Sequence, residues 1–320
     1  MHIIGTSTIS TESDGTISNK AKQFSFTRVG FFGMQGRKHL TLVAPATVPS
    51  TGCAGPVPSV NLKCGCIIHV PHETRTPITW WPIPREPCRI IALVLNDTTI
   101  TAVPGTVAIW RVDLSSGGPP VVNKAADVPD GMFLDGLSAV LGESDLVLGV
   151  DTAAGRIWQI NLRTGVVRIA AQDDAFGPDA PAPAFGINGL HVRGGDLYFT
   201  NSQKKMFSRF PISLRGGNVA QAGPIEVLGS ANGTDQFDDF AFDSAGCVWA
   251  AILPDTLTVF FPPVQGNSML RQLNAPGNPV EFNSPTSAMF GRGEVAQQHT
   301  LYMTTQTGQL IAVDTTGIRA

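Results

Sequence analysis

From about residue 105 onward the chain alternates short apolar runs with polar, glycine- or proline-bearing breaks, and helical periodicity is nearly absent. One pattern recurs. "IWRVDL" begins at Ile109, "IWQINL" at Ile157, "MFSRFPI" at Met206, "LTVFFPP" at Leu257 and "LIAVDTTG" at Leu310, at intervals of 48, 49, 51 and 53 residues. Each of the last four follows another strand-like run: "SDLVLGVD" from Ser144, "GDLYFTNS" from Gly195, "CVWAAIL" from Cys247 and "TLYMTTQ" from Thr300. Breaks such as "TAAGR" and "PDT" between the paired runs are hairpin punctuation. A unit of about fifty residues with four short antiparallel strands is the size of a propeller blade, and radial repetition protects edges that an open array would expose.

The pattern predicts an all-β fold, a six-bladed β-propeller, with five blades readable from about residue 85 to 320. Residues 1–84 read as an irregular N-terminal segment, a remodelled or incomplete first blade in which "RKHLTLVAPATV" is the one convincing strand. Trp110, Trp158 and Trp249 fall within repeat strands and read as core.

The repeats align a second feature. Asp135-Gly-Leu, Asn188-Gly-Leu, Asp238-Asp-Phe and Thr286-Ser-Ala stand at the same place, 53, 50 and 48 residues apart, each before a run that suits a blade's innermost strand. Taken singly, Asn-Gly and Asp-Gly are tight-turn dipeptides. Taken together, four polar side chains at one structural position predict a ring at one mouth of the central channel, with His191 and Gln236 nearby.

Composition narrows the partners. With 42% hydrophobic and 15% charged residues, the 320-residue chain can bury a large core. A net charge of −3, with Lys and Arg scattered, gives no basic face for nucleic acid or anionic lipid and leaves a small molecule as the expected partner. No apolar run approaches the roughly 18 residues that span a bilayer, and the first twenty residues lack a cationic segment followed by an apolar one. The expectation is a chain without a signal peptide, cytoplasmic by default.

Five cysteines, at 53, 64, 66, 88 and 247, leave one unpaired in any full disulfide scheme. Cys64, Cys66, His69 and His72 lie within nine residues, but their spacings are tighter than those of ordinary zinc sites, so free thiols or a local disulfide are preferred. The motifs of serine hydrolases, zinc proteases, P-loop NTPases and Rossmann enzymes are missing from the sequence.

The stretches "FGINGLHVRGGDLYFTNS", "DDFAFDSAGCVWAAI" and "SPTSAMFGRGEVAQQHTLYMTTQTGQL" carry a resemblance. Through them residues 105–320 resemble the six-bladed propellers of the gluconolactonase and senescence-marker-protein family, with strictosidine synthase more distant. In that family's lactonases calcium sits on a first-blade Glu, an Asn of an "NG" motif and an Asp of a "DG" motif, and polarises a lactone carbonyl for attack by water. The resemblance carries the Asn to Asn188 and the Asp to Asp238, although the second motif here is Asp238-Asp239 and the Glu has no counterpart in residues 1–84.

The repeats resemble most the fungal members that serve natural-product pathways, among them hetero-Diels-Alderases, which join an ortho-quinone methide to a terpene alkene. That reaction asks for an apolar cavity and a few polar groups, without a nucleophile or a metal. The reading is therefore a metal-independent, cofactor-free cyclase with Asn188, Asp238 and Asp135 as catalytic residues and Thr286, His191 and Gln236 as substrate-binding residues. The alternatives are a calcium-dependent lactonase using Asn188 and Asp238, and a non-catalytic binding propeller.

Overall fold

The computed structural model describes residues 24–25, 78–82, 89–94, 107–113, 121–180, 184–260, 270–272, 284–291, 298–305 and 309–316. These are almost entirely strands, and among them no helix is long and apolar enough to cross a membrane. In chain order the strands are β1 (Phe24–Ser25), β2 (Ile78–Pro82), β3 (Arg89–Val94), β4 (Ala108–Asp113), β5 (Val121–Asp127), β6 (Leu134–Val140) and β7 (Glu143–Asp151). They continue with β8 (Arg156–Asn161), β9 (Val167–Gln172), β10 (Ile187–Arg193), β11 (Asp196–Asn201), β12 (Met206–Arg215), β13 (Asn218–Gln221) and β14 (Glu226–Ser230). The last are β15 (Gln236–Phe242), β16 (Val248–Leu253), β17 (Thr256–Phe260), β18 (Leu270–Gln272), β19 (Pro285–Phe290), β20 (Thr300–Thr305) and β21 (Gln309–Asp314).

Five antiparallel sheets result among the described residues: β2 to β5, β6 to β9, β10 to β14, β15 to β18, and β19 to β21 joined by β1. They are called blades I to V here. The fold is an all-β propeller. The recurring "IWQINL" runs are the third strands, β4, β8, β12, β17 and β21, and the runs before them are the second strands. Two strands lie earlier than the segment read as regular: β2 pairs with β3 as the inner strand of blade I, and β1 pairs with β21 on the outer side of blade V. The rest of the expected sixth blade, "RKHLTLVAPATV" and the Cys64 to His72 group fall outside the described residues, as does the side chain of Trp110.

The core lies between blades rather than within one. Ile109 of blade I packs with Leu134, Val147 and Trp158 of blade II, whereas Leu148 and Ile157 of blade II pack with Leu190 and Phe199 of blade III. Blades III and IV share an aromatic layer of Phe207, Phe237, Phe240 and Phe260. Trp249 of blade IV meets Phe290 of blade V edge-on, with centroids 5.8 Å apart. A middle blade is therefore covered on both faces, which explains why its strands read as nearly continuous apolar runs.

Two conspicuous polar residues serve this frame. The buried Asp151 carboxylate, at the end of β7, accepts hydrogen bonds from the backbone N–H of Met132 (2.9 Å), Phe133 (3.0 Å) and Ala154 (3.2 Å) and from Trp158 Nε1 (3.3 Å). Asn201 holds the equivalent place in β11, donating from Nδ2 to the carbonyls of Ala175 (3.0 Å) and Gly177 (3.1 Å).

Cys247 is buried with a free thiol, which burial, reinforced by Asp243, pushes up to about 11. With roughly one thiolate in a thousand at pH 8, Cys247 in the native protein is expected to resist iodoacetamide and to alkylate after denaturation, as read by peptide mass spectrometry.

Candidate functional site

The inner strands β2, β6, β10, β15 and β19 lie side by side in that order. Asp135, Asn188, Asp238 and Thr286 each stand near the start of one of them, and all four are at most 2% exposed. Their recurrence is therefore a real structural equivalence among blades II to V. Polar side chains in such a place cost free energy unless hydrogen-bonded or paired with a ligand.

The turn explanation fails for both X-Gly dipeptides. Asp135-Gly136 and Asn188-Gly189 lie inside β6 and β10, and neither glycine has a positive φ. Each dipeptide instead forms a β-bulge: residues 135 and 136 oppose the single residue Val150, and residues 188 and 189 oppose Thr200. Asp238 and Asp239 oppose Ala251 in the same way, and Thr286 is the extra residue between Pro285 and Ser287. A bulge inserts an unpaired residue, bends the strand and re-aims a side chain. The same device occurs at the same place in four successive blades.

The glycines permit close approach of neighbouring inner strands. A Cβ on Gly136 would lie 2.4 Å from the Asn188 carbonyl oxygen, and one on Gly189 would lie 2.5 Å from Asp239 Oδ1. Side-chain hydroxyls then tie blade III to blade IV. Gly189 N–H donates to Thr200 Oγ1 (2.9 Å), which donates to the Asp238 carbonyl (2.6 Å). Asn188 Nδ2 donates to Ser202 Oγ (3.0 Å), which donates to the Phe237 carbonyl (2.6 Å). The Asn188 amide is thereby fixed, while its buried Oδ1 has no hydrogen-bond partner.

The bulge also alters how the acidic pair sits. Strict alternation on a strand would send Asp238 and Asp239 to opposite faces, so that only one carboxylate could stand on either face. In the bulge Asp238 is buried, and the partly exposed Asp239 has Oδ2 accepting from Ser287 Oγ of blade V (3.0 Å) and Oδ1 3.5 Å from His191 Nε2 of blade III. A side chain on β15 that reaches both β10 and β19 stands where three inner strands meet. Asp239 and Ser287 are the residues that the sequence reading left out of the site. The signal for them was the position one residue after the aligned ring.

His191 lies beside Asp239 against the aromatic layer between blades III and IV, its ring edge-on to Phe240 at 4.7 Å and to Phe242 at 6.3 Å. Thr286 Oγ1 is 3.0 Å from Thr304 Oγ1 on β20. Gln236 opens β15, half-buried, two residues before Asp238. A separate cleft of about 470 Å³ lies between the outer parts of blades II and III, lined by Glu143, Asp145, Gln159, Arg163 and Arg168, and none of the predicted site residues reaches it. Its polar groups join the blades: Gln159 Nε2 donates to the Gly217 carbonyl (2.7 Å), and its Oε1 accepts from Val219 N–H (2.7 Å) and Arg168 Nη2 (2.8 Å).

No family model matches the chain. It is 28% identical over 241 residues to a protein of Phoma sp. named "Putative hetero-Diels-Alderase", the match covering 68% of this chain and 64% of the relative. A protein of the same designation from Sarocladium schorii is 25% identical over 263 residues, covering 69% of this chain and 63% of the relative. The chain thus spans just under two-thirds of the length of either relative.

Among solved structures, a Bacteroides thetaiotaomicron protein of unknown function superposes with a TM-score of 0.54 at 12% identity, covering 77% of this chain and 60% of that one. The calcium-binding protein regucalcin from Agrobacterium tumefaciens gives 0.51 at 16% identity, covering 78% and 80%. A luciferin-regenerating enzyme gives 0.50 at 14%, covering 73% and 72%. At these identities the likeness is one of fold.

Proposed function

We propose that the chain is a small-molecule cyclase of the hetero-Diels-Alderase type, working without a metal in the propeller channel. The observation that carries this reading is the set of bulges, which places four buried polar side chains at equivalent positions of four successive inner strands. The sequence similarity to the two fungal proteins supports the choice of reaction.

A cycloaddition between a quinone methide and an alkene forms two σ bonds and expels nothing, so no nucleophile or base is consumed. The protein's task is to hold both partners in a reactive pose and to stabilise charge growing on the quinone methide oxygen. Asn188 suits the second task. One of its amide hydrogens is spent on Ser202, which locks the rotamer, and the other can donate toward bound substrate.

The unpartnered Asn188 Oδ1 favours a second reading, the calcium-dependent lactonase, because calcium takes such oxygens. Asn188 and Asp238 are hard donors of the right kind. Calcium binds about six to eight oxygens, however, and among the described residues no group of three His, Cys, Asp or Glu side chains is placed to hold a metal ion. Among the described residues the donor set therefore falls short of a calcium site, and no chemical step is assigned to one.

The two readings separate in one assay. The purified chain is offered a quinone methide generated in situ with a terpene alkene, and in parallel a panel of lactones, each with and without excess chelator. Formation of one cycloadduct stereoisomer, unaffected by chelation, is the expected result. Lactone hydrolysis abolished by chelation, without cycloadduct, would overturn the proposal.

A further inference from the structure

We infer that Asn232-Gly233 is a site of spontaneous modification, at which the native protein converts Asn232 to aspartate and isoaspartate while the fold protects the same dipeptide at Asn188-Gly189. The chain holds two Asn-Gly dipeptides, and the structure uses them in opposite ways.

Asn232, Gly233 and Thr234 lie between β14 and β15, and all three are exposed. The Asn232 carbonyl accepts from Asp235 N–H (3.0 Å), which closes a turn, and Gly233 holds a φ of +58° at the second position. A Cβ on Gly233 would meet nothing within 4 Å, so the conformation rather than the space asks for glycine. Neither the Asn232 side chain nor the Gly233 N–H engages a hydrogen-bond partner among the described residues. Asn188 and Gly189 differ at each point. Both are buried inside β10, Gly189 N–H donates to Thr200 Oγ1 (2.9 Å), and Asn188 Nδ2 donates to Ser202 Oγ (3.0 Å). The nitrogen that would attack and the amide that would leave are both held there, away from water.

The chemistry needs only the chain and water. The Gly233 amide gives up its proton to solvent base, and its nitrogen forms a bond to Asn232 Cγ. The bond from Cγ to Nδ2 breaks, and that nitrogen takes up a proton and leaves as ammonia. Water then opens the cyclic imide. Addition at Cγ restores the main chain with aspartate at 232, whereas addition at the backbone carbonyl gives isoaspartate. In sum, one water is consumed and one ammonia released, with no oxidant or cofactor. Glycine favours the step because no Cβ obstructs the approach of its nitrogen. Either product adds a negative charge to the turn. Isoaspartate also routes the main chain through the side-chain methylene, so the carbonyl that accepts from Asp235 becomes a free carboxylate at the entry to β15.

The test compares the two dipeptides within one chain. Full-length protein made in a bacterial cytoplasm is held in mildly alkaline buffer, native or in denaturant, and sampled over days by peptide mass spectrometry that separates aspartate from isoaspartate. In the native protein Asn232 is expected to convert at least about 100-fold faster than Asn188, which reacts only when its strand opens. In denaturant both should convert at rates within about threefold of each other, since only the local sequence then acts. Gly233→Ala should slow conversion at Asn232 by about tenfold. The denatured comparison needs no variant and keeps the test available should that substitution disturb the turn. An Asn232 that stays intact in the native protein while converting in denaturant would overturn the inference. So would native conversion of Asn188 as fast as that of Asn232, or an Asn188 that resists conversion in denaturant, which would place its protection in the sequence and not in the fold.

Discussion

Asn188→Ala is expected to fold and to lose about 10²- to 10³-fold in turnover, the scale seen when one positioned donor is removed from a reacting oxygen. The structural cost should be small. The amide makes one hydrogen bond, to Ser202 Oγ, and that hydroxyl keeps its own bond to the Phe237 carbonyl. Loss of one such bond costs about 1 kcal/mol, and removal of the buried, unpartnered Oδ1 relieves part of it. Thermal unfolding and kinetics on the same preparation check the prediction. A variant that folds and keeps full turnover would mean that the bulge ring serves packing alone.

Gly136→Ala is expected to be the more damaging to stability, by about 3 kcal/mol or more, at the upper end of overpacking costs. The added methyl would meet the Asn188 carbonyl oxygen at 2.4 Å, Gly189 Cα at 3.2 Å and Leu190 N at 3.3 Å. All three are backbone atoms of β10, so no side chain can swing away and the strand itself must retreat. Retreat of β10 also displaces Asn188, and activity should fall with stability. If Asp135-Gly136 closed an ordinary tight turn, its glycine would have a positive φ and the same substitution would cost only the backbone strain of that conformation, about 1–2 kcal/mol. Gly177→Ala is the control, because a Cβ there would meet only the Asp174 carbonyl, at an ordinary 3.7 Å. Denaturant midpoints for the two variants decide between the outcomes.

Much of this was legible in the chain. The near-fifty-residue recurrence of runs such as "IWQINL" locates every third strand, and the runs before them locate the second strands, because a blade repeats its strand lengths and hairpins wherever it repeats its packing. The alignment of Asp135, Asn188, Asp238 and Thr286 is visible for the same reason, and with it the candidate site. The strands β1 and β2 were not legible. A strand of two residues carries no period, and "ITWWP" in β2 is set among prolines and polar residues that read as loop. Their assignment comes from pairing with β21 and β3, which are 284 and 7 residues away along the chain when counted from Ser25 to Gln309 and from Pro82 to Arg89.

What the sequence by itself determined is therefore the repeat and the residue types at each repeat position, both of which are local properties. What the tertiary structure decided is how those positions are used. The dipeptide Asn188-Gly189 has the same letters whether it closes a hairpin or bulges a strand, and only the close approach of β6, β10 and β15 selects the bulge. Asp239 looks like a solvent-facing neighbour of Asp238 until the bulge suspends alternation and brings His191 and Ser287, 48 residues away on either side, against its two oxygens. Local propensity acts over a few residues, whereas a channel wall is made where strands from different blades converge, and convergence is fixed by packing between blades.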